Sequence, residues 1–317
     1  MKKSKVFCFV AFLLLMLMVA GCGNSRPAVT TNEGAIKITD DLNQTIVLKQ
    51  PAKRIISLFS AHTENLLALG LDAEIIGVSP AESDPVAKSK PVFDYRADPE
   101  KVLAAQPDLV IIRPFIKKSH PDFVKTLEQA NIKVVCLYPE KFEEFDSYIQ
   151  KLAILTGKEP QAAEKLAAFH AKLNQVAEYT AKSQTKKQVY FEATTTEYRT
   201  ITPDSMPGTV LKLAGGLNVA ADAQPLKAAS SIAAYGSERL LMKAEEIDIF
   251  LAQRGPMNPG VTTDSIKQRP GFDKIKAVRE GKVYIIDEGL VSSPTFRLAD
   301  GVEQLAKLIY PEVFGGQ

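Results

Sequence analysis

Residues 54–79, RIISLFSAHTENLLALGLDAEIIGVS, hold a strand, a helix and a second strand in 26 positions. RIISLF (54–59) is a short, continuous apolar run. HTENLLALGL carries Leu66, Leu67 and Leu69 at helical spacing and ends on Gly70, a residue suited to closing a helix. EIIGVS then returns to strand chemistry. Neither strand alternates apolar with polar residues, so both fit a parallel sheet covered on its two faces.

The alternation continues downstream. DPEKVLAAQ predicts a helix, with Pro99 early, where its missing N–H costs nothing. DLVII (108–112) predicts a strand, FVKTLEQAN a helix and KVVCLY (133–138) another strand. Upstream, IKITDDLNQTIVL reads as a hairpin turning at Asp41-Leu42-Asn43. Together these predict a doubly wound α/β lobe. Phe145, Tyr148, Ile149, Leu152 and Leu155 then mark one helix. Leu166, Phe169, Leu173, Val176 and Ala177 mark a second over about 161–182, roughly 33 Å long. Beyond the polar KSQTKKQ the α/β pattern restarts with VYFEA (189–193), MPGTVLKLAGG, SERLLMKAEE, IDIFLA, KVYIID and LADGVEQLAKLIY. The halves echo each other, PEKVLAAQPDLVII against SERLLMKAEEIDIFL. The expected fold is α/β: two doubly wound lobes joined by one long helix, with a ligand cleft between them. The expected divisions are 36–156, 157–185 and 186–317.

The amino terminus has separate chemistry. Lys2, Lys3 and Lys5 precede a 15-residue apolar stretch, Val6–Ala20, short for a membrane span and typical of a signal peptide. Val19-Ala20-Gly21-Cys22 resembles a bacterial lipobox, in which the cysteine thiol receives diacylglycerol. GNSRPAVTTNEGA has the small, polar character of a tether. The expectation is a signal peptide over 1–21, lipidated Cys22, a tether over 22–35 and a protein held on the outer face of a membrane.

Composition excludes several classes. The 317 residues are 45% hydrophobic and 24% charged, and loss of the three leading lysines leaves 36 basic residues against 37 acidic, so nucleic acid is not an expected partner. The three cysteines show no metal-binding spacing; Cys136, inside KVVCLY, reads as a small core side chain. His62, His120 and His170 share no ligand spacing, and only His62 falls near the expected cleft mouth. Ser57, Ser60 and His62 suggest a hydrolase, but no G-x-S-x-G elbow and no glycine-rich phosphate loop is present. No catalytic residue, resident metal or cofactor is expected.

RIISLFSAHTENLLALGLDAEIIGVS, PEKVLAAQPDLVII, ILTGKEPQAAEKLAAF, PGTVLKLAGGLNV and RPGFDKIKAVREGKVYIID resemble, in order, the landmarks of class III periplasmic binding proteins. These are the substrate-binding subunits of ABC importers for iron–siderophore complexes, haem and cobalamin. The resemblance covers roughly residues 36–314. It implies a monomer that captures a metal chelate between its lobes, closes little because the connector is a stiff helix, and delivers cargo to a permease dimer with its ATPase. It also implies docking through one surface glutamate per lobe, here Glu100 in DPEKV and Glu238 in GSERL. Helix-start acids are favoured at both places in any case.

Ligands in open α/β sheets sit beyond the carboxyl ends of the strands. The residues following each strand give the expected site: Tyr95, Arg96, Arg113, Tyr198, Arg199, Arg254, Met257, Phe296 and Arg297. Five arginines among aromatic walls suit an oxyanionic ligand. An anionic ferric siderophore is the expected cargo, with a corrinoid or haem as the alternative. A surface haem receptor without a permease, or an enzyme, is the rival class; loss of uptake on permease deletion separates an importer from a receptor.

Overall fold

The computed structural model describes residues 35–97, 99–228 and 230–315. Cys22, the segment 1–21 and all of the expected tether except Ala35 lie outside the described residues. Ile36–Gln317 forms one compact unit.

The chain enters through a hairpin, β1 (Ile36–Thr39) and β2 (Thr45–Leu48), paired Ile38 to Ile46. Its turn is fixed by Asp40, whose carboxylate accepts from the Leu42 and Gln44 amides, and by Asn43 at φ 60°. The first lobe follows as β3 (Ile55–Ser57), α1 (Ser60–Ala68), β4 (Ile75–Val78), α2 (Pro85–Lys88), α3 (Glu100–Ala105), β5 (Leu109–Ile112), α4 (Pro114–Ser119), α5 (Pro121–Gln129) and β6 (Lys133–Cys136). Its four strands are all parallel, in the order β4-β3-β5-β6. Strand order reverses between β3 and β5, which opens a crevice at their carboxyl ends. Helix α4 follows β5 directly, at a place where the sequence pattern predicts no helix; Pro114 supplies a preset φ at its start.

Two helices lead out of this lobe, α6 (Phe145–Thr156) and the 22-residue α7 (Glu159–Thr180), about 33 Å long. Gly157 at φ 67° ends α6, and Pro160 starts the next helix. The second lobe comprises β7 (Gln188–Thr194), β8 (Arg199–Ile201), α8 (Met206–Leu213), β9 (Leu217–Asn218), β10 (Gln224–Pro225), β11 (Ile232–Ala234), α9 (Ser237–Met242), β12 (Ile249–Arg254), α10 (Thr263–Lys267), α11 (Lys276–Arg279), β13 (Val283–Asp287), α12 (Leu298–Ile309) and α13 (Pro311–Phe314). Strands β7, β12 and β13 are parallel, while β8, β11 and β10 add an antiparallel wing beside β7. One continuous apolar core joins the lobes on the helix side. It runs from Leu66 and Ile111 through Phe145, Leu152 and Phe169 to Leu298 and Leu305.

Candidate functional site

A cavity of about 870 Å³ opens at the carboxyl ends of both sheets. From the first lobe come Phe59 and Ser60 after β3, the Ser79–Pro85 segment after β4, Tyr95 and Arg96, and Arg113 after β5. From the second come Arg254, Gly255, Pro256 and Met257 after β12, Asp287, Glu288 and Gly289 after β13, then Ser293 and Arg297. The crevice geometry of open α/β sheets thus accounts for nearly every lining position.

Tyr95 is buried against the His120 ring, 4.9 Å away, and the Arg96 guanidinium lies 4.6 Å over its face. Arg113 stacks over Phe59 at 4.9 Å and Phe115 at 5.3 Å. Such cation–π contacts hold a guanidinium flat while leaving its edge able to donate. Across the cavity, Glu288 accepts the Met257 amide at 2.9 Å, and burial raises its carboxyl above the usual range. A Cβ on Gly255 would fall 2.5 Å from Glu288, so glycine is what allows this approach. Arg297 lies 3.7 Å from Glu64 on α1.

Under this wall sits a charged network. The fully buried Glu192 takes a bidentate bond from Arg269 and a 3.1 Å bond from Asn258 Nδ2. Asn258 Oδ1 in turn accepts from the Thr195 amide at 3.0 Å and hydroxyl at 2.6 Å. The network holds Asn258, the residue after Met257, in the loop that follows β12.

Six of the expected residues line the cavity: Tyr95, Arg96, Arg113, Arg254, Met257 and Arg297. Three do not. Glu197 and Tyr198 adopt left-handed backbone (φ 52° and 47°), reversing the chain into β8 rather than extending it towards the cleft. Arg199 then pairs with Glu197 at 2.9 Å, and Tyr198 packs on Phe272 with ring centroids 5.4 Å apart. The Phe296 ring packs edge-on against Phe145 at 5.4 Å, in the core between lobes. His62 is fully buried, bonded to the Tyr148 hydroxyl at 2.7 Å; burial drives its imidazole down to about 3, so it stays neutral.

Sequence reasoning missed the acids. Glu64, Asp84, Asp287 and Glu288 line the same cavity as four arginines, so the lining is not a cationic funnel. The Asp287-Glu288 pair directly after β13 was a legible signal, because the rule that located the arginines applies to it equally. Among the described residues no group of three or more His, Cys, Asp or Glu could hold a metal ion, and no helix is long and apolar enough to cross a membrane.

Two α/β lobes bridged by a long helix, with one cleft lined by both, define a two-lobed solute-binding protein. The chain belongs to the periplasmic binding protein family, whose profile matches residues 55–290. It is 28% identical to the ABC transporter substrate-binding lipoprotein YvrC of Bacillus subtilis, over 98% of this chain and 99% of that one. It is 26% identical to the vitamin B12-binding protein of Vibrio cholerae, over 80% of this chain and 88% of that one. Among solved structures, one from Staphylococcus epidermidis, described as a possible iron-binding (periplasmic solute-binding) protein, superposes with a TM-score of 0.71. It is 26% identical and covers 82% of this chain and all of its own. The protein is a substrate-binding component of an ABC transporter: it takes a small ligand, works with a permease and is not an enzyme.

Proposed function

We propose that this chain is the lipid-anchored capture subunit of its importer, and that its cargo is a metal chelate with an amide-rich periphery, a corrinoid before others. The observation that carries this is the mixed lining. Arg96, Arg113, Arg254 and Arg297 can only donate hydrogen bonds, while the carboxylates of Glu64, Asp84 and Asp287 can only accept. A primary carboxamide does both, so a ring of amide arms can satisfy both sets. A tricatecholate chelate, anionic throughout, could occupy the guanidiniums but would leave the carboxylates without donors. Similarity to a vitamin B12-binding protein over most of the chain supports the same reading. A ferric siderophore is the second reading, favoured by the likeness to a protein described as iron-binding.

Titration of the mature protein with cyanocobalamin, a ferric trihydroxamate, a ferric tricatecholate and haemin decides between them. Cyanocobalamin should bind with a Kd below about 1 μM, which is roughly 8 kcal/mol, and the others at least tenfold more weakly. Tight tricatecholate binding without cyanocobalamin binding would overturn the corrinoid reading and leave the siderophore.

Anchoring rests on Cys22 closing Val19-Ala20-Gly21-Cys22 and on the similarity to a lipoprotein along nearly the whole chain. The Cys22→Ala variant should lose palmitate labelling; equal labelling would remove the anchor. Docking to the permease rests on Glu100 and Glu238, exposed in the first turns of α3 and α9, one on each lobe.

A further inference from the structure

One side chain at the back of the cavity is bonded to both lobes. Asn65 lies on α1 of the first lobe and is fully buried. Its Nδ2 donates to the Pro294 carbonyl at 2.8 Å and to the Tyr148 hydroxyl at 3.2 Å. Its Oδ1 accepts the Phe296 amide at 3.3 Å. Pro294 and Phe296 belong to the second lobe's loop between β13 and α12, which also carries Ser293 and Arg297 into the cavity.

The bonds form a chain: the Tyr148 hydroxyl accepts from Asn65 at 3.2 Å and shares a hydrogen bond of 2.7 Å with Nδ1 of the buried, neutral His62. The far end of the chain is therefore anchored in the first lobe's core, and the near end grips two backbone groups of the other lobe. The ring of Phe296 reinforces the grip by wedging against Phe145 on α6 and Phe169 on α7. A carboxamide can donate to a carbonyl and accept from an amide at once, in a fixed planar geometry. Leucine, of nearly the same shape, would strand the Pro294 carbonyl and the Phe296 amide in a dry site.

We infer that Asn65 is a positioning residue of the binding site: its amide pins the 294–296 loop to the first lobe, setting the inter-lobe spacing and the placement of Arg297 without touching ligand itself. Of the titratable groups nearby, Tyr148 from α6 is bonded to it, His62 is bonded to Tyr148, Glu64 is its neighbour on α1 and pairs with Arg297 of the pinned loop, and Asp41 acts on Tyr148 from the hairpin turn. The consequence for binding rests on the cleft being the cargo site; the consequence for spacing does not.

The test uses the mature protein spin-labelled at Lys125→Cys on the first lobe and Lys267→Cys on the second, both exposed positions, with inter-label distances recorded without ligand. Asn65→Leu should broaden the distance distribution and weaken cyanocobalamin binding at least tenfold. Should that variant fail to fold, Asn65→Asp decides. Protonated, an aspartic acid still donates to one lobe group and accepts from another; ionised, it opposes the Pro294 carbonyl. Its distance distribution should match the parent at pH 5 and broaden reversibly at pH 9.5, while the parent stays constant. Unchanged distances in Asn65→Leu, or an Asn65→Asp variant that tracks the parent at both pH values, would overturn the inference. Failure of the parent to bind cyanocobalamin would sink the ligand reading alone, since the distances need no ligand.

Discussion

Glu192 and Arg269 show what a single residue can hold. The carboxylate has no access to solvent, and Arg269, Asn258 and the Thr195 hydroxyl supply its hydrogen bonds. Removing one partner of such a pair leaves the other charge buried, at a cost of about 3–5 kcal/mol. Glu192→Gln should lower stability by that order in urea titration, while Glu192→Leu with Arg269→Met should recover most of the loss. A small effect for the single variant would mean that water reaches the pair. His62 gives a second, pH-dependent outcome. Its imidazole titrates at about 3 when folded against 6.5 in the unfolded chain. Between those values the unfolded state binds the extra proton, so this group's contribution to stability falls as pH falls, by roughly 1.4 kcal/mol per unit. Glu82 and Glu288, both raised by burial, act with the opposite sign, which is why the comparison must be with a variant. Between pH 6.5 and 5, His62→Asn should show a shallower acid loss than the parent by roughly 2 kcal/mol.

At the scale of elements, α12 and the loop before it are the informative pair. Gly301 sits within α12, where alanine would ordinarily stabilise by about 1 kcal/mol. Here a Cβ would lie 1.9 Å from the Leu290 carbonyl oxygen. Gly301→Ala should therefore destabilise, by about 1–3 kcal/mol, and also weaken ligand binding, because the displaced loop carries Glu288, Ser293 and Arg297. A raised melting temperature with unchanged affinity would show that the loop yields freely. This element also marks where sequence stops being legible. The parallel strands, α1, the hairpin and α7 declare themselves through local periodicity and turn residues. The reversal at Glu197-Tyr198 does not, since two non-glycine residues in left-handed backbone carry no compositional mark. Phe296 looked like a cavity wall by position, and only the approach of Phe145 and Phe169 from distant helices turns its ring to the core. Arg254 and Arg297 were legible because strand-end position depends on the sheet alone.

For the molecule as a whole, charge is the property to measure. Four arginines and four acids share the cavity, so long-range attraction for anions should be weak. Affinity should change less than threefold between 50 and 500 mM salt, a range over which a cationic funnel would lose far more. A steep decline would mean that the carboxylates are neutralised in the bound state. Arg113→Ala or Arg254→Ala should still cost at least tenfold in affinity, about 1.4 kcal/mol, through lost donors. Docking belongs to this scale too. Glu100→Arg with Glu238→Arg should leave ligand affinity unchanged and abolish uptake, because reversed charge at an interface costs several kcal/mol. Full uptake by the double variant would dismiss both glutamates.

The apolar core shared by α6, α7 and α12 has a kinetic consequence. Two lobes fused along one side should move little over a guest, so neither arrival nor escape should wait on a hinge. Mixing experiments should then give a single relaxation whose rate climbs linearly with protein concentration and never saturates. The cargo's dwell time would be set by the contacts it breaks on leaving, and the permease would receive a guest held by an open hand.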